Sequence, residues 1–364
     1  MVRKPATPDA TPRPAPAAGQ PVSLRALADY LGLSPATLSL VINKSPAARA
    51  IPQETKDRIL AAARRFNYRP NYVARSLRTQ RSFTLGVVVS EVSDGYPSLV
   101  LSGIEDFLLN EGYFYFVVSH RRRPDLLEDY GKLLLARNVE GIIAVDTPCN
   151  DSMPVPVVAV SGHHDLDGVT SVVLDHERAA ALALEHLASL GHRNIAFIKG
   201  HDFSADTAVR WNAITNSAAH LHLPVTPALT AQLELDSSSP ELGYAAARRL
   251  LASRHPFTAL FAFNDVSAIG AIRALREAGL RVPEDVSVVG FDDIQSAAYQ
   301  NPSLTTVRQP LREMGKIAAA AVLHRIGNSE GKLTARIVVQ PELVIRESTT
   351  RCPRSQNGKV SSAK

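Results

Sequence analysis

Seven apolar runs, set apart by stretches long enough for helices, constrain this chain more than any other feature. FTLGVVV, YFYFVVS, VEGIIAV and VPVVAVS form one series within residues 83–161, and IAFIKG, TALFAF and VSVVGF repeat the scheme from residue 195 onward. Strands alternating with helices imply parallel sheets wound from βαβ units, so the two series predict an α/β region of two similar doubly wound parallel-sheet subdomains. Ligands of such sheets bind outside the carboxyl ends of the strands, and between two facing subdomains that place becomes a cleft.

The segment before the first run has a different character. Residues 1–83 hold 14 Lys and Arg against 4 Asp and Glu, a net +10, so the +5 of the 364-residue chain leaves −5 for the remainder. A basic small module joined to a mildly acidic large one suggests that the first meets a polyanion; a solvated basic arm is the plainer alternative. Residues 1–21 are Pro/Ala-rich with no apolar period, which predicts a disordered arm. Residues 22–67 carry three helical patterns. Ser23 caps a first helix with Leu24, Leu27, Ala28 and Leu31 on one face, and Gly32 ends it. Ser34 as cap and Pro35 at the first helical position start a second helix, and Gln53 to Phe66 reads as a third. Two helices joined by a short Gly-containing turn form a helix-turn-helix, whose second helix lies in the DNA major groove. In SPATLSLVIN, residues 34–43, Leu38, Val41 and Ile42 are assigned to the core, and Ser34, Pro35, Ala36, Thr37, Ser39, Leu40 and Asn43 to the exposed, base-reading face.

VSLRALADYLGLSPATLSLVIN, followed by ETKDRILAAARRFNYRPNYVARSLRTQRSFTLGVVV, resembles the DNA-binding headpiece, hinge and first core strand of the lactose-repressor/galactose-repressor (LacI/GalR) family. The resemblance continues through GHRNIAFIKG, ALFAFNDVSAIGAIRALREAGLRVPEDVSVVGFDD and LTTVRQPLREMG, covering residues 22 to about 349 in family order. It implies a periplasmic-binding-protein-like core over residues 83–350 and a hinge over 68–82; residues 351–364 read by composition as a polar tail. The resemblance also implies a homodimer, or a higher oligomer, on a pseudo-palindromic operator, and a small effector, first of all a sugar or sugar derivative. YRPNYVARSL matches the family's hinge: Asn71 caps a short helix, Leu77 is the residue that wedges into the minor groove, and Arg75 and Arg78 neutralise phosphate. Ser23, Tyr68, Asn71, Arg75 and Leu77 thus join the candidate DNA contacts. Three departures stand out. Leu40 occupies a position that is commonly polar or basic in the family, Pro35 and Ala36 replace an often polar pair, and KSPAARAIP is longer than the usual loop, with Pro52 at the usual Ser cap. None of Pro35, Ala36 and Leu40 can hydrogen-bond a base through its side chain, which leaves thymine methyl contact, the neighbouring polar residues and DNA shape as means of readout.

Strand-end polar residues are the candidates for the cleft: Ser90 and Glu91, Ser161, Asn264 and Asp265, Asp292 and Asp293. Arg210 matches the arginine that many family members aim into the cleft, and Tyr96, expected in the loop after the first strand, offers a stacking face. The effector set is Ser90, Tyr96, Ser161, Arg210, Asn264 and Asp292, with Asp292 and Arg210 fixing polar groups and Asn264 assisting. Asp265 and Asp293 are equally suited to capping the following helices, and Trp211 reads as core.

Enzyme chemistry has little support. Asp292 and Asp293 are adjacent at a strand end and point apart, unlike two carboxylates flanking one bond. The pairs His163/His164 and His220/His222 lack a third ligand at a metal-binding spacing. No P-loop, dinucleotide fingerprint or nucleophile elbow occurs. Cys149 and Cys352 are expected to be reduced and unrelated. No run of about 18 apolar residues is present, as a membrane span would need, and prolines stand where a signal peptide needs its apolar stretch. The expectation is a cytoplasmic, effector-controlled transcription regulator without cofactor or metal.

Overall fold

The computed structural model describes residues 22–43, 45–69, 76, 80–92, 95–149, 153–162, 166–202, 204–234, 239–328 and 334–353. The chain divides into two compact units at Ser82/Phe83.

In the first unit, α1 (Leu24–Leu31), α2 (Pro35–Ile42) and α3 (Gln53–Arg65) enclose a small core of Leu27, Ala28, Leu38, Val41, Ala48, Ile59 and Ala62. The caps are those that the sequence calls for. Ser23 Oγ accepts from Ala26 N at 3.1 Å, Gly32 closes α1 at φ 69°, and Ser34 Oγ accepts from Thr37 N at 3.1 Å. A left-handed φ costs glycine nothing, so the chain can turn sharply between the two helices. The long KSPAARAIP connection contains a 3₁₀ turn, Pro46–Ala50, that inserts Ala48 into the core. Pro52 offers α3 no side-chain cap. Tyr30 packs edge-on against Phe66 with ring centroids 4.9 Å apart.

The second unit contains two six-stranded sheets. One has the order β11-β5-β4-β3-β1-β2, with β1 (Thr84–Val89), β2 (Phe114–Ser119), β3 (Gly141–Val145), β4 (Val157–Val160), β5 (Val169–Leu174) and β11 (Arg336–Val339), all parallel. The other repeats it as β12-β10-β9-β8-β6-β7, with β6 (Ile195–Lys199), β7 (Thr230–Gln232), β8 (Ala259–Ala262), β9 (Ser287–Asp292), β10 (Thr305–Arg308) and an antiparallel edge strand β12 (Glu342–Val344). Both sheets follow one doubly wound scheme, in which the winding reverses between the first and third strands of each. The helices that pack on the first sheet are α4 (Gly95–Glu111), α5 (Pro124–Ala136) and α11 (Leu311–Gly327). The second sheet carries α6 (His176–Ser189), α7 (Ala205–His220), α8 (Pro240–Ala252), α9 (Asp265–Glu277) and the short α10 (Gln295–Ala298). The chain crosses between the subdomains after β5, β10 and β11. Its end is stitched to the second subdomain: the buried Ser348 Oγ donates to Val288 O at 2.6 Å, and Cys352 N donates to Leu190 O at 2.8 Å.

Candidate functional site

The reversal points of both sheets meet at one cavity. Ser90 follows β1, Asp146 follows β3, His201 follows β6 and Asn264 follows β8, and all four line a space of about 40 Å³ together with Tyr96, Arg122, Ser204, Asp206, Arg210 and Asp292. Several of these sit on backbone that L-residues rarely adopt: φ is 42° at Asp146, 60° at Arg122 and 109° at Asp292, and Ser161 nearby is at 61°. Such conformations cost of order 1–3 kcal/mol each and cluster where side chains must be aimed for function.

Arg210 is the centre of the second subdomain's contribution. Only 3% exposed, it donates through Nη1 to Phe263 O at 2.6 Å and through Nη2 to Asp206 Oδ2 at 3.1 Å, and it lies 3.7 Å from the Phe291 ring centroid. Its Nε has no protein partner. Asp206 also faces His176 Nε2 at 3.4 Å, at the first crossover between the subdomains. Asp292, buried, accepts from Gln309 Nε2 at 2.7 Å. Gln309 follows β10 at the second crossover, and its Oε1 is buried without a partner. Ser204 Oγ donates to Asp146 Oδ1 at 3.2 Å across the cavity, from subdomain to subdomain.

Tyr96 lies in the first turn of α4, not in a loop, and its hydroxyl is 2.5 Å from Ser161 Oγ. Burial, then the charges of Asp206 and Asp146, hold that hydroxyl well above the usual tyrosine range, so it stays a neutral donor. Asn264, rather than Asp265, caps α9: its Oδ1 accepts from Ser267 N at 2.9 Å while Ser267 Oγ accepts from Asn264 N. Asp265 is fully buried and accepts from Ile294 N at 2.9 Å and Thr306 Oγ1 at 2.6 Å; burial raises its carboxyl to about 7. Asp293 turns away from Asp292 into ion pairs with Arg308 and Arg346. Glu91 Oε1 accepts from the neighbouring Val92 N. Trp211 packs against Phe197 at 5.9 Å, on the core side.

Five of the six effector candidates, Ser90, Tyr96, Arg210, Asn264 and Asp292, thus line the cavity, and Ser161 reaches it through Tyr96. Arg122, Asp146, His201, Ser204 and Asp206 are polar lining residues that the sequence reading does not single out. Asp146 and His201 satisfy the same strand-end rule as the others, and Asp206 stands one helical turn before Arg210. Cys149 and Cys352 are both free thiols, and burial pushes Cys149 up to about 11, an unreactive thiol. Among the described residues there is no cluster of three His, Cys, Asp or Glu placed to hold a metal, and no helix is long and apolar enough to cross a membrane. His163 and His164 lie outside the described residues.

On α2, Ser34, Pro35, Ala36 and Asn43 are exposed, and Thr37 and Leu40 are half-buried. The expectation of an exposed Ser39 is corrected: it is 9% exposed and its Oγ accepts from Asn43 Nδ2 at 3.0 Å. It joins Leu38 and Val41 on the side where α2 meets the rest of the headpiece. Ile42 is half-buried, and so is Tyr68, which packs on the headpiece core. Asn71, Arg75, Leu77 and Arg78 lie outside the described residues.

Residues 23–71 match the family of bacterial regulatory proteins known as the lacI family, and residues 184–349 match a periplasmic binding protein-like domain. The HTH-type transcriptional repressor PurR of Haemophilus influenzae is 31% identical over 337 residues, spanning 90% of this chain and 98% of that protein. The chain belongs to the lacI family. PurR of Aliivibrio fischeri is 29% identical over 90% of this chain and 98% of its own length. Among solved structures, a lac repressor dimer bound to operator and the anti-inducer ONPF superposes with a TM-score of 0.80 at 28% identity, covering 91% of this chain and all of that one. A CelR–cellobiose complex gives 0.66 at 27% identity, covering 90% and 99%. As a member of the lacI family, the chain is a DNA-binding transcriptional regulator, with a helix-turn-helix unit and two parallel-sheet α/β subdomains, and not an enzyme.

Proposed function

We propose that this lacI-family member is a cytoplasmic repressor that binds a pseudo-palindromic operator as a dimer, under the control of a sugar or sugar derivative held between its two subdomains. Of the similar proteins named above, PurR and the lac repressor are repressors, the latter as an operator-bound dimer, and CelR is a transcriptional regulator in complex with cellobiose. Residues 22–67 serve as headpiece, 68–82 as hinge and 83–350 as effector-binding and dimerisation core, flanked by a Pro/Ala-rich arm (1–21) and a polar tail (351–364). In the headpiece, the start of α2 meets the base edges, while Leu77 wedges into the minor groove at the hinge.

The observation that carries the effector reading is the convergence of polar side chains from both subdomains on one cavity at the reversal points of the two sheets, among them the buried Arg210. The cavity of about 40 Å³ is far smaller than the roughly 300–1,000 Å³ of ordinary ligand sites. A sugar therefore enters only when the subdomains part and the Ser204–Asp146 bond opens. A ligand that binds one spacing of the subdomains better than another shifts their population, and with it the placement of the hinge segments on DNA.

Neutral mono- and disaccharides are titrated while thermal unfolding is followed. A ligand at 100 times its Kd stabilises the fold by about 2.7 kcal/mol, so a clear rise in Tm is expected for at least one compound, and Asp292→Asn should suppress it. An unchanged response in that variant removes Asp292 from the site, and no response to any compound in the unaltered protein removes the sugar reading.

A further inference from the structure

We infer that this regulator reads its operator half-sites through the C5-methyl groups of thymine, with Pro35, Ala36 and Leu40 as the reading surface. The inference rests on α2 being the helix that enters the major groove, and adds which bases it selects and by what contact.

The polar side chains of α2 are engaged with one another. Ser34 Oγ accepts from Thr37 N at 3.1 Å and lies 2.8 Å from Thr37 Oγ1. Asn43 Nδ2 donates to Ser39 O at 2.8 Å and to Ser39 Oγ at 3.0 Å, and Ser39 is buried. No Arg, Lys, Gln or Asn occurs between residues 34 and 42. The bidentate donors that read guanine and the amide pairs that read adenine are therefore absent from the stretch that reaches base edges. The hydroxyls of Ser34 and Thr37, engaged with each other, cannot make the bidentate contacts that single out guanine or adenine. Asn43 Oδ1 remains, as an acceptor only and at the far end.

What α2 presents instead is carbon. Pro35 and Ala36 are exposed, and Leu40, half-buried against the headpiece core, stands one turn beyond Ala36 on the same face. Thymine alone among the four bases shows an apolar group in the major groove. The net +10 of residues 1–83 supplies the attraction to the polyanion that such a surface lacks.

The test uses the full-length protein and an operator recovered by selection from random DNA. Each thymine of the two half-sites is replaced in turn by deoxyuridine, which removes the methyl and keeps the pairing edge and the O4 acceptor. Each purine is separately replaced by its 7-deaza analogue, which removes N7. The inference predicts about a fourfold loss of affinity for each contacted methyl, little change with the 7-deaza purines, and no further loss from deoxyuridine in Leu40→Ala at the thymine that Leu40 touches. Deoxyuridine without effect, alongside a marked loss from a 7-deaza purine, overturns it. Because the chemical change is in the DNA, misfolding of a variant cannot mimic either result. If selection recovers no sequence at all, the groove-binding reading of α2 fails first and this inference falls with it; a recovered operator indifferent to deoxyuridine defeats the inference alone.

Discussion

On α2 the polar side chains satisfy one another within a turn and the outward face is carbon, whereas between the subdomains charged and amide groups are buried and satisfied only in part. Arg210 retains an unpaired Nε and Gln309 an unpaired Oε1, each less than 4% exposed. On the proposed function, the contrast follows from what each surface would meet. DNA is a polyanion that general positive charge attracts, so its reading helix can be apolar and locally self-sufficient. A small neutral ligand brings no such long-range attraction, and its site must hold polar groups in place before the ligand arrives. Those groups need neighbours to orient them, which ties the cleft to the crossovers through His176 and Gln309, while the polar side chains of α2 are oriented by partners within the helix and its caps.

The comparison breaks first at Arg210. Arg210→Ala leaves Asp206 as a buried carboxylate without its guanidinium and should cost about 3–5 kcal/mol, read as a lower denaturant midpoint; a loss below 1 kcal/mol would mean that the pair contributes little. Gln309→Leu removes the Nε2 donor to buried Asp292 and should destabilise by about 1–3 kcal/mol in the same assay, with operator affinity in the absence of effector used to detect any change in subdomain spacing. A value near zero would separate Asp292 from the crossover. Asp265 gives a pH signature. Its folded carboxyl titrates near 7 against an ordinary 3.8, so between those values the folded chain keeps a proton that the unfolded chain releases, and stability falls as pH rises through that window. Asp265→Asn should flatten the decline, as measured by urea midpoints from pH 4 to pH 8; an unaltered slope assigns the decline to other groups. The smallest effect belongs to the headpiece. Ser34→Ala removes one cap and should cost about 1 kcal/mol, with sequence preference on DNA retained, since Ser34 is spent on Thr37. A changed preference would make Ser34 a reader after all.

The strands, the helix-turn-helix and several of the cleft residues are legible because each rests on a strong local rule. Buried parallel strands are continuous apolar runs, Ser-Pro starts a helix, and polar residues at strand ends of a doubly wound sheet face its ligand. What escaped involves choices that local pattern leaves open. In PATLSLVI every residue is small or apolar, so periodicity could not decide which side of α2 Ser39 would take. Asn264 and Asp265 are both good caps, and the choice between them fell to Gly290 and Thr306, remote in sequence: a Cβ at Gly290 would come 2.2 Å from Asp265 Oδ1, and Thr306 Oγ1 donates to that same oxygen. Asp146 and His201 obeyed the strand-end rule and were simply not drawn from it. The Pro46–Ala50 turn carries no apolar period beyond Ala48, so its burial could be seen only with the three helices assembled.

The central claim is most directly tested by selecting bound sequences from a random DNA pool with the purified protein at two salt concentrations. A dimeric regulator reading DNA through α2 predicts enrichment of a pseudo-palindrome with matching half-sites, and an affinity that falls steeply with salt as counterions are released. Enrichment of no sequence at either concentration, or of an asymmetric site bound by one protomer, would contradict the account.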